Sequence, residues 1–333
     1  MSRILSWAWL NVILLRNYTT KRKRSNNALM EKLNQADNLV FLPFLDLNDD
    51  QLAKIIIVAM KRSKWTVLHL NHNQITNMGV RYLCQTILAN PSYLRNLNLD
   101  DNIITEDGYL ELCQILECKE SNLQVLSLSG NFSSGKALEA LGKSLPKSRL
   151  RVLSLNHCYI RDDAFLKLIA NLNSTSLQQL WLDFNYISDT GLKALADIFS
   201  VQNSSSSYCL RLLSLEDNRF SDYGAIELAH VLSKMNLREL NISRNTVTDL
   251  GAQTFLRELK HSSITRVKLS TFSVSPVISR EIHRMTRLLK SKEFNFIIRL
   301  YHAYQKKLPS LPLPYDLIKL LAEMLLGPSS TSG

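Results

Sequence analysis

The residue types that most often carry out chemistry, namely histidine, cysteine and the acids, have no catalytic or metal-binding spacing in this sequence. His69, His72 and His157 are expected in the turns of a repeated sequence pattern, with no nucleophile at a usable spacing. The five cysteines are scattered, and no pair has the spacing of metal ligands. The chain contains no HExxH sequence and no glycine-rich phosphate loop. We therefore predict a protein that is not an enzyme and that uses no cofactor and no metal.

The segment 177–187 combines aromatic and acidic residues in a way that favours protein binding. In its sequence, LQQLWLDFNYI, Trp181 alternates with Leu180 and Leu182, so its side chain should leave the opposite face of a short strand, as should that of Asp183. An exposed aromatic ring among carboxylates is typical of a hot spot for a basic partner segment. The alternative is that Trp181 is a lone surface aromatic. The residues predicted to contact the partner are Trp181, Asp183, Phe184, Tyr186, Glu216, Asp217, Asp100 and Asp101.

A pattern of leucines that recurs eight times positions these residues. Each copy reads leucine, two residues, leucine, one residue, leucine, usually with an asparagine three positions later whose amide can pair with open backbone at a turn. The start-to-start spacings are 29, 29, 27, 27, 33, 27 and 27 residues. A fixed period in this range indicates a stacked array, whose function lies on a long exposed surface. The copies start at residues 65, 94, 123, 150, 177, 210, 237 and 264.

A predicted helix follows each of these predicted strands. Ser or Thr opens five of six such segments, and an acid follows closely in most, which suits an N-cap and the positive end of the helix dipole. Apolar residues then recur at helical spacing, as in Leu192, Leu195, Ala196 and Phe199. The pattern predicts an α/β solenoid with parallel strands. The six segments are 76–88, 105–116, 161–172, 188–199, 221–232 and 248–259.

At these residues the chain resembles the leucine-rich repeats of the ribonuclease-inhibitor class. The resemblance covers about residues 65–274, and implies a horseshoe with strands on the concave face and helices on the convex face. It implies no single function, because members include inhibitors, sensors and GTPase activators. We expect four parts: a basic, acid-free tail or targeting segment, an N-terminal capping or degenerate repeat, the repeats, and a C-terminal helical cap with a tail. Their ranges are 1–30, 31–64, 65–278 and 279–333.

The cysteines are expected to be reduced thiols in or near the core. Cys84 and Cys113 hold equivalent positions on neighbouring predicted helices, whose axes would lie about 8–10 Å apart, too far for a direct bridge. Cys158 replaces the repeat asparagine in the fourth copy. The thiol is also a weak hydrogen-bond donor, so the repeat should tolerate it.

The net charge of +11 is concentrated outside the predicted concave face. The first 30 residues contain no acid, and residues 280–307 are also basic. The middle of the concave face has the opposite sign, with Arg244 and Lys268 only near its C-terminal end. A nucleic-acid groove needs aligned cations with stacking aromatics between them, so we do not expect nucleic acid as a partner.

The N-terminal segment allows three interpretations. Residues 1–18 are basic and acid-free like a mitochondrial presequence, with a processing-site-like arginine at Arg16, and this is the localisation that we favour. The run KRKR at 21–24 could instead direct the protein to the nucleus, or the segment could be a disordered tail of a cytoplasmic protein. The 12-residue apolar stretch within it is too short to span a bilayer, so we predict no transmembrane span.

The C-terminal segment is predicted to cap the open end of the array. Residues 279–307 read as one or two basic amphipathic helices, and 308–326 as a proline-rich linker followed by an apolar helix. The sequence LPLPYDLIKLL also resembles the motif that ends suppressor-of-cytokine-signalling boxes, which recruit a cullin ligase, although the preceding helix lacks the expected elongin contact.

These observations favour a non-enzymatic scaffold, a monomer, that binds a protein partner with a basic segment on the concave face. Two alternatives stay open. One is a GTPase-activating protein of the Ran-regulator type, a class with the same repeats. The other is a substrate-recognition adaptor of a cullin ubiquitin ligase.

Overall fold

The structure, a computed structural model, describes residues 38–56, 64–89, 91, 93–200, 209–269 and 273–307. Two segments with sequence-based predictions lie outside these residues. They are the N-terminal segment 1–30 and the C-terminal segment 308–333.

Nine short parallel strands form one open sheet in the order of the sequence. In eight of the nine strands the middle residue is buried and its two neighbours are more exposed or less completely buried, as the period of two requires, whereas in the strand 212–214 the last residue, Ser214, is also buried. Leu97 and Leu99 are fully buried, for example, whereas Asn96 and Asn98 face outward. The predicted α/β repeat solenoid is therefore confirmed. The strands are β1 (Leu39–Phe41), β2 (Val67–His69), β3 (Asn96–Asn98), β4 (Val125–Ser127), β5 (Val152–Ser154), β6 (Gln179–Trp181), β7 (Leu212–Ser214), β8 (Glu239–Asn241) and β9 (Arg266–Lys268).

Helices follow the strands and cover the other side of the leucine core. The helices are α1 (Asp49–Gln51), α2 (Asn77–Ala89), α3 (Glu106–Glu117), α4 (Gly135–Ser144), α5 (Asp162–Ile169), α6 (Asp189–Ser200), α7 (Asp222–His230), α8 (Asp249–Leu259) and α9 (Pro276–Lys307). All six predicted helices are present as α2, α3 and α5–α8, and α4 is a further repeat helix. A π-helix at Leu52–Ile56 continues α1, and short 3-10 turns at Leu145–Lys147 and Leu172–Ser174 follow α4 and α5.

Both ends of the described array carry additional structure. At the N-terminal end, β1 pairs with β2 in parallel, so residues 39–56 form a strand and helix of their own. At the C-terminal end, the segment predicted as one or two helices is the single helix α9. Ile282 of α9 is buried, and Met285 and Leu289 pack against the core. The first turns of α9 therefore close the apolar end of the last repeat.

A ladder of buried asparagines links the turns that follow the strands. Asn102 donates to the carbonyls of Leu70 and Leu99 at 3.0 Å, and its Oδ1 accepts from the N–H of Ile75 at 3.0 Å. Each rung thus satisfies backbone groups in two repeats, and neighbouring rungs share carbonyls, since Leu70 also accepts from Asn73 and Leu99 from Asn131. The same position is held by Asn73, Asn102, Asn131, Asn185, Asn218 and Asn245.

Cys158 takes the place of asparagine in one rung and uses its thiol in the same way. Its Sγ lies 3.4 Å from the carbonyl oxygen of Leu128 and 3.3 Å from that of Asn156. It also lies 3.8 Å from the hydroxyl of Tyr109. The substitution keeps the donor and loses the amide oxygen, because a thiol is a weaker acceptor.

A second polar ladder runs along the starts of the helices. Ser188 precedes α6, and its hydroxyl donates to Asp162 Oδ2, at the start of α5, at 2.5 Å. Its backbone N–H donates to the other oxygen of Asp162 at 2.8 Å. Ser221 binds Asp189 in the same way, and its hydroxyl also accepts from Tyr223 N as an N-cap. The residue predicted to cap its own helix therefore also joins that helix to the preceding one.

Glycine as the third residue of a helix makes room for the aspartate carboxylate at the start of the preceding helix. A Cβ atom at Gly191 in α6 would lie 2.5 Å from Asp162 Oδ1, which is closer than real contacts allow. The helix before α5 begins with Gly135 instead of an acid, and the third residue of α5 is then Ala164. An aspartate at the start of α5 thus goes with glycine as the third residue of α6, whereas the longer Glu106 at the start of α3 is followed by Ala137 in α4.

Candidate functional site

The concave face presents three outward positions in each repeat: the first and third residues of the strand, and the second residue after it. The strand register places Trp181 between Ser154 and Ser214, the small neighbours expected from the sequence. Beyond Ser214 the same column continues to Asn241 and Lys268. The indole of Trp181 therefore has no bulky side chain beside it in its column.

A shallow groove runs from Trp181 towards the C-terminal end of the sheet. Its charged edge consists of Glu239 and Arg266, which form an ion pair of 3.0 Å, and of Lys268. Leu212 and Leu240 form its apolar floor. The groove is thus a shallow surface feature with an aromatic wall, an apolar floor and charged rims.

Two of the predicted contact carboxylates, Asp183 and Asp100, are the second residues after their strands, and both are hydrogen-bonded within the repeat array. Asp183 Oδ1 accepts from the hydroxyl of Ser214 at 2.5 Å and from the N–H of Glu216 at 2.8 Å. Burial raises the pKa of Asp183, against the lowering effect of these two hydrogen bonds. Asp100 accepts from Ser127 and Ser129 in the same way, and burial also raises its pKa. Both carboxylates hold neighbouring turns together in addition to any contact with a partner.

A third group of predicted residues occupies the left-handed turn before the ladder asparagine. Asp101, Phe184 and Asp217 have φ values of 50°, 56° and 52°. Asp101 lies 3.3 Å from His72, and Asp217 lies 2.7 Å from Arg244. The ring of Phe184 stacks on His157 with the centroids 4.2 Å apart. These turn side chains therefore interact with the turns of neighbouring repeats.

The structure thus divides the predicted site. Asp183 and Glu216 are joined by a hydrogen bond close to the Trp181 column, and Glu216 also accepts from Asn241 at 2.9 Å. Tyr186 lines a different groove, together with Phe132 and Tyr159. Asp100 and Asp101 follow β3, three strands away from the strand of Trp181. The role of these residues in partner binding stays a prediction.

The histidines differ in part from expectation. His72 and His157 lie in turns, with φ values of 56° and 54°. His69 does not lie in a turn, because it is the last residue of β2. Its side chain is only half-exposed, and its ring packs edge-on against Phe41 with the centroids 4.7 Å apart.

His69 should make the stability of the protein depend on pH. Burial lowers the pKa of its imidazole below 6.5, against the raising effect of a hydrogen bond with Asn96. The folded state therefore binds the proton more weakly than the unfolded state, so this contribution to stability is present above pH 6.5 and is lost as the pH falls. We expect the Tm of His69→Gln to fall less than that of wild type between about pH 7.5 and about pH 5. His261→Gln, which removes an exposed ring, is the matched control, and equal falls in all three proteins would contradict the prediction.

The thiols and acids of the described chain form no recognisable reactive centre. Within the described ranges, no group of three or more His, Cys, Asp or Glu side chains could hold a metal ion. Cys84, Cys113 and Cys158 are buried, and burial raises the pKa of the Cys158 thiol to about 12. Burial also raises the pKa of Cys84 and Cys113. Thiols with such pKa values are poor nucleophiles.

Comparison with known proteins agrees with this architecture. A family model described as Leucine Rich repeat matches residues 66–84, 173–196 and 233–256. The chain is a leucine-rich repeat protein. Leucine-rich repeat arrays typically act as non-catalytic interaction modules, so this one is suited to be a protein-interaction scaffold.

Part of the chain is similar to part of several larger mouse proteins. It is 31% identical over 131 residues to the NACHT, LRR and PYD domains-containing protein 4C of Mus musculus, an alignment with 38% of this chain and 13% of that protein. It is 32% identical over 120 residues to the NACHT, LRR and PYD domains-containing protein 5 of the same species, covering 35% and 10%. The matched region is thus a small part of those relatives.

Likeness to solved structures is limited. The crystal structure of the Rad7 and Elc1 complex in yeast shares 20% sequence identity, with a TM-score of 0.43 over 68% of this chain and 54% of that chain. The leiomodin-1 actin-binding site 2 has a TM-score of 0.37 at 14% identity, over 60% and 96%. Likeness at this level supports no argument about function.

Within the ranges that the structure describes, none of the helices combines the length and the apolar character needed to cross a bilayer.

Proposed function

We propose that this leucine-rich repeat protein is a non-enzymatic scaffold that holds a protein partner on its concave face, in the groove beside Trp181. The observation that carries the proposal is the half-exposed indole between two serines, Ser154 and Ser214. The repeat fold does not need an indole here, because the equivalent residues of the two neighbouring repeats are serines. An aromatic ring in a groove is the most common kind of hot-spot residue.

The charges around the indole favour a partner segment with basic residues on one side. Asp183 and Glu216 lie at the turn end of the strands, where Asp183 Oδ1 accepts from the backbone N–H of Glu216. Arg266 and Lys268 lie at the C-terminal end of the groove. A basic segment would therefore lie over Asp183 and Glu216, with its apolar side chain on Trp181, and would avoid the cationic end.

Trp181→Ala tests this function. Partners should first be found by quantitative affinity purification from the native cells, using wild type, Trp181→Ala and Tyr223→Ala as baits. Tyr223 is 55% exposed on helix α7, so Tyr223→Ala is the matched control that removes an aromatic ring away from the groove. We expect a partner that wild type and Tyr223→Ala retain and that Trp181→Ala loses. Its Kd, measured with purified proteins, should rise at least about thirtyfold, or about 2 kcal/mol.

The Tm of the same variants separates a binding role from a packing role. Trp181→Ala should lower the Tm by less than about 4 °C, since truncating a core aromatic residue would cost about 3–5 kcal/mol and shift the Tm much further. A large fall in Tm would show that the indole is part of the core. Binding of all partners within about twofold of wild type would show that the groove is not the contact surface.

The two alternative functions stay predictions. GTPase activation of the Ran-regulator type rests on the repeat class alone and would be measured as accelerated GTP hydrolysis by Ran-type GTPases. The cullin-adaptor hypothesis rests on residues 308–326, which lie outside the described residues. It would be abandoned if wild-type protein and a 308–333 deletion both failed to co-purify a cullin.

We also propose import into mitochondria through the presequence-like residues 1–18. N-terminal sequencing of protein from the native cells should then find a mature chain that begins near Thr19 in the mitochondrial fraction. A full-length chain in the cytosol or nucleus would favour the basic run 21–24 as a nuclear signal, or an untargeted tail, instead.

A further inference from the structure

A row of exposed apolar rings lies along the edge where the turns lead into the helices. The residue after each ladder position faces outward, and in four successive repeats it is apolar or aromatic. We call these four residues, Ile103, Phe132, Tyr159 and Tyr186, the aromatic edge. The first three are 57%, 56% and 59% exposed. The ring centroids of Phe132 and Tyr159 are 6.4 Å apart, and those of Tyr159 and Tyr186 are 6.1 Å apart, so these three rings form a continuous surface.

The repeat fold does not explain this row. The equivalent residues in the outer repeats, Gln74 and Thr246, are polar, although they occupy the same kind of turn. Single exposed apolar side chains are normal in soluble proteins, whereas contiguous apolar surface with a polar rim marks an interaction site. The aromatic edge is limited to the middle of the array, as expected of such a patch.

Two arginines give the aromatic edge a positive character. The guanidinium carbon of Arg219 lies 4.0 Å from the centroid of the Tyr186 ring, and that of Arg161 lies 5.9 Å from it. Both arginines are exposed, and among the residues that the structure describes neither forms an ion pair with a carboxylate. Asp163 is the acid in the adjoining groove, on the side of helix α5. The cationic groups therefore cluster around Tyr186 at one end of the row.

We propose that the aromatic edge binds an acidic segment of a partner protein, on a surface separate from the Trp181 groove. An apolar or aromatic side chain of that segment packs against the rings of Phe132 and Tyr159. Its carboxylates pair with Arg161 and Arg219, which are already oriented by contact with the Tyr186 ring. The net charge of +11 favours an acidic partner and disfavours a second copy of this chain as the occupant.

Selection from a random peptide-display library against the purified full-length protein tests the proposal. Wild-type protein is the bait, and Tyr159→Ser is used to remove peptides that bind elsewhere. We expect the surviving peptides to combine Asp or Glu with aromatic or large apolar residues. Peptides that are basic, or a selection in which no peptide distinguishes wild type from Tyr159→Ser, would overturn the proposal.

Binding of a selected peptide is then measured by fluorescence anisotropy. Tyr159→Ser and Arg219→Glu should each raise its Kd by about tenfold or more. Tyr223→Ser and Arg280→Glu make the same changes at exposed positions on helices α7 and α9, and should leave the Kd within about twofold. Trp181→Ala should also leave it unchanged, which separates this surface from the proposed function. Equal losses in the Arg280→Glu control would show unspecific charge attraction and would overturn the site.

A photo-crosslinking phenylalanine analogue at position 159 of the full-length chain identifies the occupant directly. Crosslinks to the selected peptide support the proposal. Crosslinks to residues 308–333 of the same chain, or to a second copy together with a dimer in light scattering that Tyr159→Ser dissociates, would assign the aromatic edge to the chain itself and overturn it.

Discussion

Replacing Asn185 by alanine is expected to lower the free energy of unfolding by about 3–5 kcal/mol, because it leaves several buried backbone groups without partners. Its Oδ1 accepts from the N–H groups of Cys158 and Ile160, at 3.1 and 3.0 Å. Its Nδ2 donates to the carbonyls of Leu155 and Leu182, at 2.9 and 3.0 Å. The carbonyl of Leu182 would keep the amide of Asn218 as a donor, so the groups that lose their partner are the two N–H groups and the carbonyl of Leu155. Urea unfolding followed by circular dichroism measures the loss.

Two further variants show whether the ladder is the cause. Asn173→Ala removes a surface amide and should change the free energy of unfolding by less than about 0.5 kcal/mol. Asn185→Cys introduces the residue that the chain itself carries at Cys158, and should cost clearly less than Asn185→Ala. An Asn185→Ala protein as stable as wild type would show that water replaces the amide. Because each repeat contacts only its neighbours, the Asn185→Ala array could also unfold in two steps, with the repeats on either side of residue 185 unfolding separately.

Gly142→Ala should destabilise the protein by about 1–3 kcal/mol, because helix α4 lies unusually close to helix α5 at this residue. An added Cβ would lie 2.6 Å from the carbonyl oxygen of Lys167 and 2.8 Å from that of Leu168. Both obstacles are backbone atoms, so neither can move without displacing α5. The Tm and the urea midpoint of the variant measure the effect.

Gly135→Ala is the matched control in the same helix. The nearest atom to a Cβ at Gly135 is Lys167 Nζ, at 3.4 Å, which is the end of a flexible side chain. The added methyl group should be neutral, or should stabilise the protein by up to about 1 kcal/mol through the unfolded state. Similar effects of the two substitutions would contradict the close approach of the helices at Gly142.

The repeat fold and the direction of Trp181 could be predicted because both depend on local periodicity. A leucine at every second position fixes which face of a strand is buried, and Trp181 must then take the other face. The helix starts could be predicted for the same reason, because a Ser or Thr followed by an acid is a local signal. The role of that acid as the acceptor for the next repeat is not local, and it was not predicted.

The detailed contacts of the candidate site depend on the register between repeats, which the sequence alone does not display. From the sequence alone, Asp183 is expected to be a free surface carboxylate. The register between the strands places Ser214 beside it, and the two side chains form a hydrogen bond. From the sequence, Tyr186 is expected to lie beside Trp181, but the turn places it in a different groove. A signal for the aromatic edge was nevertheless present, since aligning the repeats by their asparagines brings Phe132, Tyr159 and Tyr186 into one column.

The pairing of an acid at the start of one helix with glycine in the next has a consequence for which repeat units can be duplicated in the gene. A tandem duplication of the unit with Asp189 and Gly191 would place glycine next to aspartate and would fit. A tandem duplication of the unit with Asp162 and Ala164 would force a methyl group into the space of a carboxylate. Unequal crossing-over should therefore yield folded products from some units of this array and not from others, so its evolutionary history is constrained by the order of its units.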